Sequence, residues 1–163
     1  MELIQQLTES LRTKVQEVVR FKREVSLCVV EENLYPVLEY MRQEGGFAYL
    51  TDIGTIDHYS ENERFEIFYN LYNFEANQRV RVQCRIKTEQ PQVRSVSTLW
   101  PSATWYEREA YDMMGIRFQN HPDLRRMYLP EDFEYFPLRK EFPLIGIPGS
   151  IQVPEKESPK GYK

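Results

Sequence analysis

The chain has 163 residues, enough for one domain with a modest single core. It is 41% hydrophobic and 28% charged with a mean hydropathy of −0.61. No apolar run approaches the ~18 residues of a membrane span. A net charge of −4 and a pI near 5.4 argue against nucleic acid as the main partner.

The start, Met1-Glu2-Leu3-Ile4-Gln5, carries neither the basic-then-apolar pattern of a signal peptide nor the Arg-rich pattern of a transit peptide. Any contact with a membrane is therefore expected to run through a partner. Eleven Tyr and nine Phe suggest contact surface beyond one small core.

Residues 2–20 read as an amphipathic helix, with Leu3, Leu7, Leu11, Val15 and Val18 at steps of three and four. Val25–Val30 reads as a short buried strand. Residues 33–44 read as a second helix, apolar at Leu34, Leu38 and Met41 and stopped by Gly45-Gly46. Three strands follow at Phe47–Asp57, Arg64–Phe74 and Arg79–Lys87, joined by loops of hairpin length around Glu61-Asn62-Glu63 and Glu75–Gln78. The last alternates cleanly, with Val80, Val82, Cys84 and Ile86 on one face. Val93–Val96 is a candidate for a further short strand.

A third helix begins after Pro101, with a capping box at Thr104 and Glu107 or Ser102 as cap, and Gly115 in the left-handed position that ends it. The expected fold is α+β: helices on a mostly antiparallel sheet, in the order α-β-α-β-β-β-α. Residues 1–116 form that domain.

Residues 117–163 differ in pattern. Seven of the ten prolines fall there, which forbids a long helix or central strand. Thirteen large apolar residues between Phe118 and Ile147 separate it from a disordered tail. The expectation is an extended C-terminal arm that covers either its own domain or another protein, the latter favoured beyond Arg139. The stretch Glu155–Gly161 is polar and expected to fray.

Cys28 and Cys84 lie far apart in strand-like runs without a C-x-x-C spacing, so they read as reduced core residues, and no metal site of this chain is expected. Glu107, Glu109 and Asp112 tempt an acid–base reading. On a helix, however, residues two apart diverge by about 200°. Glu109 and Asp112 share a face, and Arg108 stands at ion-pair spacing from Asp112.

His121, before Pro122, has no nucleophile elbow to activate and reads as a turn histidine bonded to backbone or carboxylate. Arg125-Arg126 and Arg139-Lys140 are interleaved with acids at Glu131, Asp132, Glu134 and Glu141, which breaks any positive field for phosphate and suits protein–protein ion pairs. The seven glycines form no phosphate loop.

The run from Trp100 to Phe118, with Trp105-Tyr106-Glu107-Arg108-Glu109-Ala110-Tyr111-Asp112-Met113-Met114-Gly115 at its heart, resembles the signature of the 30 kDa subunit family of respiratory complex I, also known as its C subunit. So do His121-Pro122-Asp123-Leu124-Arg125-Arg126, then Pro130-Glu131-Asp132-Phe133, then Pro137-Leu138-Arg139-Lys140-Glu141-Phe142-Pro143-Leu144. Arg64-Phe65-Glu66 and Pro91–Val96 also resemble the family. The sequence departs from it where Glu134-Tyr135-Phe136 fills a stretch that often carries glycine, and where Met127-Tyr128 replaces a more aliphatic pair.

The resemblance implies a protein with no flavin or iron–sulfur cluster of its own, in the peripheral arm of a proton-translocating NADH:quinone oxidoreductase. FMN, iron–sulfur clusters and quinone would belong to partner subunits. Its neighbours would be the D subunit at the quinone site and the B and I subunits that carry iron–sulfur clusters, at the cytoplasmic side of the cell inner membrane. Partner contacts are expected from Glu107, Arg108, Glu109 and Asp112, from His121, Pro122, Asp123, Leu124, Arg125 and Arg126, and from Pro137, Leu138, Arg139 and Lys140. The equivalent subunit of a membrane-bound hydrogenase or ferredoxin-linked complex is the alternative, and a stand-alone hydrolase using Glu109, Asp112 and His121 a distant one.

Overall fold

The computed structural model describes residues 2–22, 24–59, 62–86, 91–144 and 146. Its elements in chain order are α1 (Glu2–Ser10), β1 (Val15–Phe21), β2 (Glu24–Val29), α2 (Glu31–Gln43), β3 (Tyr49–Asp57), β4 (Phe65–Asn73), β5 (Gln78–Ile86), β6 (Gln92–Arg94), α3 (Ala103–Met114) and β7 (Arg117–Gln119). Five strands make a sheet in the order β1-β2-β5-β4-β3, antiparallel except for the parallel β2–β5 pair. β6 and β7 form a separate parallel pair, with α3 as the connection between them. The fold is thus α+β, as the sequence pattern predicts.

The helix expected over residues 2–20 is corrected to α1 alone. Backbone N–H groups of Lys14 and Val15 close onto the Leu11 carbonyl, and the chain then turns into β1. Leu7 and Leu11 are buried, in keeping with the helical spacing. Val15, Val18, Val19 and Phe21 are β-branched or aromatic and pair as a hairpin with β2, Val18 opposite Leu27 and Phe21 opposite Glu24. Lys22 takes the turn at φ +54°. The strand expected at Val93–Val96 is found shorter and one residue earlier, as β6 (Gln92–Arg94). Its partner β7 opens the segment expected to be arm throughout.

Alternation along β2, β4 and β5 sorts the sheet. Leu27, Val29, Phe65, Ile67, Tyr69, Leu71, Val80, Val82, Cys84 and Ile86 face the helices and bury completely or nearly so, with Val37, Leu38 and Met41 of α2 joining the same core. The other face carries a polar ladder, in which Asn70 donates to Asp52 (2.7 Å) and Arg81 donates to Asn70 (3.0 Å).

The two cysteines split between these faces. Cys84 is a buried core thiol, pushed up to about 12 by burial. Cys28, expected in the core, sits half-buried on the polar face, where the Gln83 amide donates to its sulfur at 3.3 Å.

Gly115 ends α3 at φ +75°, with its N–H on the Tyr111 carbonyl. A Cβ there would also stand 2.6 Å from Arg139 Nη2 and 2.7 Å from the Phe136 ring. Gly115→Ala is therefore expected to cost more than the ~1–2 kcal/mol of left-handed strain alone. Chemical denaturation checks this, and an unchanged midpoint would contradict it. Apart from Gly146, the arm beyond Leu144 lies outside the described residues, and with it the predicted polar stretch Glu155–Gly161.

Candidate functional site

The family-like signature gathers on α3 and on the chain that follows β7. Tyr106 donates its hydroxyl to the Thr51 carbonyl on β3 (2.8 Å), and Trp100 donates its indole N–H to the Phe47 carbonyl (3.1 Å), which fixes the helix against the sheet. The predicted capping box is absent. Ser102 occupies the cap without a side-chain bond, and both Glu107 oxygens are engaged elsewhere. One face of α3 turns Glu107, Arg108 and Asp112 inward, at 0%, 9% and 0% exposure. Glu109 faces out.

Asp112 is the pin for the first half of the arm. Oδ2 accepts the backbone N–H groups of Met127, Tyr128 and Leu129 at 3.0, 2.7 and 3.1 Å, and Oδ1 accepts Arg126 Nη1 at 2.7 Å. Burial alone would raise this carboxyl. The N–H of Tyr128, the Arg126 guanidinium and the N–H groups of Met127 and Leu129 outweigh it and hold it below the usual range.

Arg126 also donates to the Tyr135 carbonyl and lies over the Phe136 ring at 5.3 Å. The Arg108–Asp112 ion pair suggested by spacing does not form. Arg108 instead donates to the carbonyls of Arg125 (3.1 Å) and Arg126 (2.9 Å), a second staple on the same loop.

The second half of the arm is clamped lower down. Leu138 donates its N–H to the Met113 carbonyl, and Arg139 donates Nε to the Met114 carbonyl, so both satisfy open C=O groups at the end of α3. The Arg139 guanidinium lies between Phe136 (4.4 Å) and Phe65 (5.0 Å). Lys140 donates its N–H to Asp57 at the end of β3 (2.8 Å). Arg64 grips the same carboxylate bidentately, at 2.7 and 2.6 Å, and also meets Glu141.

Glu107 forms a third cluster. Oε1 accepts the Val96 N–H at 2.7 Å and Oε2 pairs with Ser95 Oγ at 2.6 Å. His121 Nε2 lies 3.8 Å from Oε2, and both side chains are fully buried. His121 is bonded as predicted: Nδ1 accepts the Asp123 N–H (3.0 Å) and Nε2 donates to the Thr104 carbonyl (3.1 Å). Burial pushes Glu107 up to about 7, against the lowering effect of its bonds to Ser95 and Val96.

The hydrolase trio is not assembled. Glu109 is exposed, Asp112 is spent on the arm, and His121 sits beside Glu107, five residues earlier on the helix, a rise of about 7.5 Å. Asp57 and Ser97, which matter to the clamps and the buried cluster, carry no mark in the sequence as site residues, and Arg64, Ser95 and Glu141 stand in family-like stretches without an assigned role. The one available signal is an opposite-charge pair, Asp57 and Arg64, flanking a predicted hairpin.

Of the residues expected to touch partners, Glu109, Pro122, Asp123, Arg125, Leu138 and Lys140 are exposed, while Leu124, Arg126, Pro137 and Arg139 are half-buried. Around them lie large apolar side chains in the open: Trp105 (59%), Tyr128 (63%), Tyr135 (48%), Leu138 (56%) and Leu144 (106%).

Among the described residues, no group of three or more His, Cys, Asp and Glu side chains is placed to hold a metal ion. None of their helices is long and apolar enough to cross a membrane. A groove of about 430 Å³ opens on the far side, lined by Glu17, Cys28, Glu31, Glu63, Glu66 and Arg85 among others, with no residue of α3 or the arm in its wall.

The chain is similar to known proteins over most of its length. The C subunit of the NADH-quinone oxidoreductase of Geotalea uraniireducens (strain Rf4) is 35% identical over 155 residues, covering 95% of this chain and 90% of that relative. The C 2 subunit of the same enzyme in Rhizobium meliloti (strain 1021) is 50% identical over 113 residues, which is 69% of this chain but only 62% of the relative's length. A solved structure of Nqo5, the trypsin-resistant fragment (1-134), aligns at a TM-score of 0.69 and 27% identity, covering 75% of this chain and 99% of that one. A chain of the membrane-bound sulfane sulfur reductase, an archaeal respiratory membrane complex, shares the fold at a TM-score of 0.80 and 23% identity over 99% of this chain and 98% of that one. The model of the respiratory-chain NADH dehydrogenase 30 Kd subunit matches residues 27–147, and the chain belongs to that family.

Proposed function

We propose that this chain is a non-catalytic subunit of the peripheral arm of a proton-translocating NADH:quinone oxidoreductase, docking beside the subunits that hold the terminal iron–sulfur cluster and shape the quinone site. It would reach the cytoplasmic side of the inner membrane only through those partners, and the flavin, clusters and quinone would be theirs. One observation carries the reading. Arg108, Asp112, Arg126 and Arg139 of the signature are spent on holding the arm to α3, while Trp105, Tyr128, Tyr135, Leu138 and Leu144 stand in the open. Exposed apolar and aromatic side chains held on a rigid, fully bonded support are what a partner surface buries.

The partner set expected from the sequence then divides in two. Arg108 and Asp112 act from within by shaping the loop and Glu107 by holding the segment after β6, while Glu109, Asp123, Arg125, Leu138 and Lys140 meet the neighbours.

The test is affinity purification of the tagged chain from gently solubilised native membranes. Flavin- and cluster-bearing NADH dehydrogenase subunits are expected to co-purify, and the paired substitution Trp105→Ala, Leu138→Glu is expected to abolish their recovery while circular dichroism stays unchanged. Hydrogenase-type subunits in their place would move the chain to a sister complex. Recovery of the complex undiminished by the paired substitution would refute this face as the docking surface.

A further inference from the structure

We propose that Glu107 is a buried proton-binding site, connected to the protein surface by the paired hydroxyls of Ser95 and Ser97. The carboxyl group is fully buried, and His121 is its only ion-pair partner among the described residues. The bonding of that imidazole leaves no proton on Nδ1, which accepts the Asp123 N–H, and one on Nε2, which faces the Thr104 carbonyl. So bonded, the ring gives Glu107 no hydrogen bond, its Nε2 lying 3.8 Å from Oε2. The other groups that face Glu107 carry no charge: the Ser95 hydroxyl and Val96 N–H from the segment after β6, and the buried Tyr69 phenol from β4. On α3 itself, Arg108 turns away to the carbonyls of Arg125 and Arg126, and Asp112 is engaged by Arg126. An isolated carboxylate in such surroundings is costly, and the neutral acid is favoured.

The hydroxyl chain suits both protonation states. Ser95 Oγ lies 2.6 Å from Glu107 Oε2 and 2.8 Å from Ser97 Oγ, and it also accepts the Ser97 N–H at 3.2 Å. When Glu107 is ionised, Ser97 donates its O–H to Ser95, and Ser95 donates to Oε2. When Glu107 is protonated, Oε2–H donates to Ser95, and Ser95 donates to Ser97. In each state Ser95 Oγ donates one hydroxyl bond and accepts another, and a proton passes inward by one hydrogen crossing each O···O contact, after which O–H rotation resets the chain. Ser97 is half-buried, while Ser95 and Glu107 are buried, so the chain runs from solvent inward. A proton entering at Ser97 leaves one on Oε2, with charge and atoms conserved.

The test is a pH titration of the full chain carrying ¹³C-labelled glutamate, followed by NMR. One side-chain carboxyl is expected to titrate near pH 7, above the other glutamates, and to be missing in Glu107→Gln. If that variant fails to fold, through-bond assignment in the parent identifies the resonance. Ser95→Ala removes a donor to the ionised form and is expected to raise the midpoint. Ser97→Ala is expected to keep the midpoint near the parent's and broaden the resonance, because the outer step of proton exchange is slowed. A Glu107 carboxyl that titrates with the surface glutamates, or a midpoint unmoved by Ser95→Ala, would overturn the site. An unbroadened resonance in Ser97→Ala would overturn the relay.

Discussion

Asp112→Ala is expected to destabilise the fold by about 3–5 kcal/mol, the range for removing one member of a buried charge pair. Asp112 and Arg126 have side-chain exposures of 0% and 10%, so solvent screens the pair little. The substitution strands a guanidinium and three backbone N–H groups, those of Met127, Tyr128 and Leu129. Asp112→Asn keeps the volume but not the chemistry. Whichever way the amide turns, its NH₂ meets either Arg126 or the three N–H donors, at a cost of about 1–3 kcal/mol for the unsatisfied group.

Both variants should loosen the chain after β7, so limited trypsin digestion at Arg125 and Arg126 should quicken along with the loss measured in denaturant. Stability within about 0.5 kcal/mol of the parent, the ordinary effect of a surface substitution, would mean that the cluster is not what holds the arm. The parent's dependence on pH carries a definite sign. Because Asp112 is held below the usual carboxyl range in the fold, its contribution is complete above the unfolded value and disappears as pH falls through the folded one. Glu107 runs the other way: its contribution is complete below about 4.5 and is lost as pH rises through about 7.

The legible parts of this protein are those in which one periodicity rules. β5 alternates without exception from Val80 to Ile86, and β4 and β5 pair in register along their whole length, so the meander follows from side-chain sorting alone. Gly115 is legible because a helix end needs a left-handed residue. α1 is over-extended in the sequence pattern because Val15 and Val18 continue a step of three or four by coincidence. The β-branched and aromatic run through Phe21 is the signal against a helix, and the partner that decides the matter, β2, lies beyond a turn without Gly, Pro or Asn.

The site is legible as a set of residues and not as a set of contacts. Arg108 and Asp112 have ion-pair spacing, yet each bonds to the loop after β7, since tertiary donors and acceptors outcompete a helix-surface pair worth only about 0.3–0.5 kcal/mol. Asp57 and Lys140 meet across 83 positions, a contact that no local pattern encodes.

That long-range contact sets the second large effect. Arg64→Ala is expected to cost about 3–5 kcal/mol, again through a buried charge left without its partner. Asp57 is 1% exposed and Arg64 13%, and the fork between them is the first cause of the Asp57 carboxyl lying well below its usual range, ahead of the N–H groups of Lys140 and Tyr59. With the guanidinium gone, those two backbone donors alone must carry a buried carboxylate. Arg64→Lys should fall between parent and alanine, because an ammonium supplies charge without the parallel pair of N–H bonds. Glu141, 44% exposed, meets Arg64 from the solvent side, so Glu141→Gln should cost less than about 1 kcal/mol. The predicted order in denaturant is therefore alanine, lysine, then the Glu141 variant, from largest loss to smallest. A Glu141→Gln loss equal to that of Arg64→Ala would place the clamp at the surface and not at Asp57. Because Asp57 joins the β3–β4 hairpin to the arm through Lys140, the same series should grade recovery of partner subunits from membranes, with the least stable variant retaining the fewest.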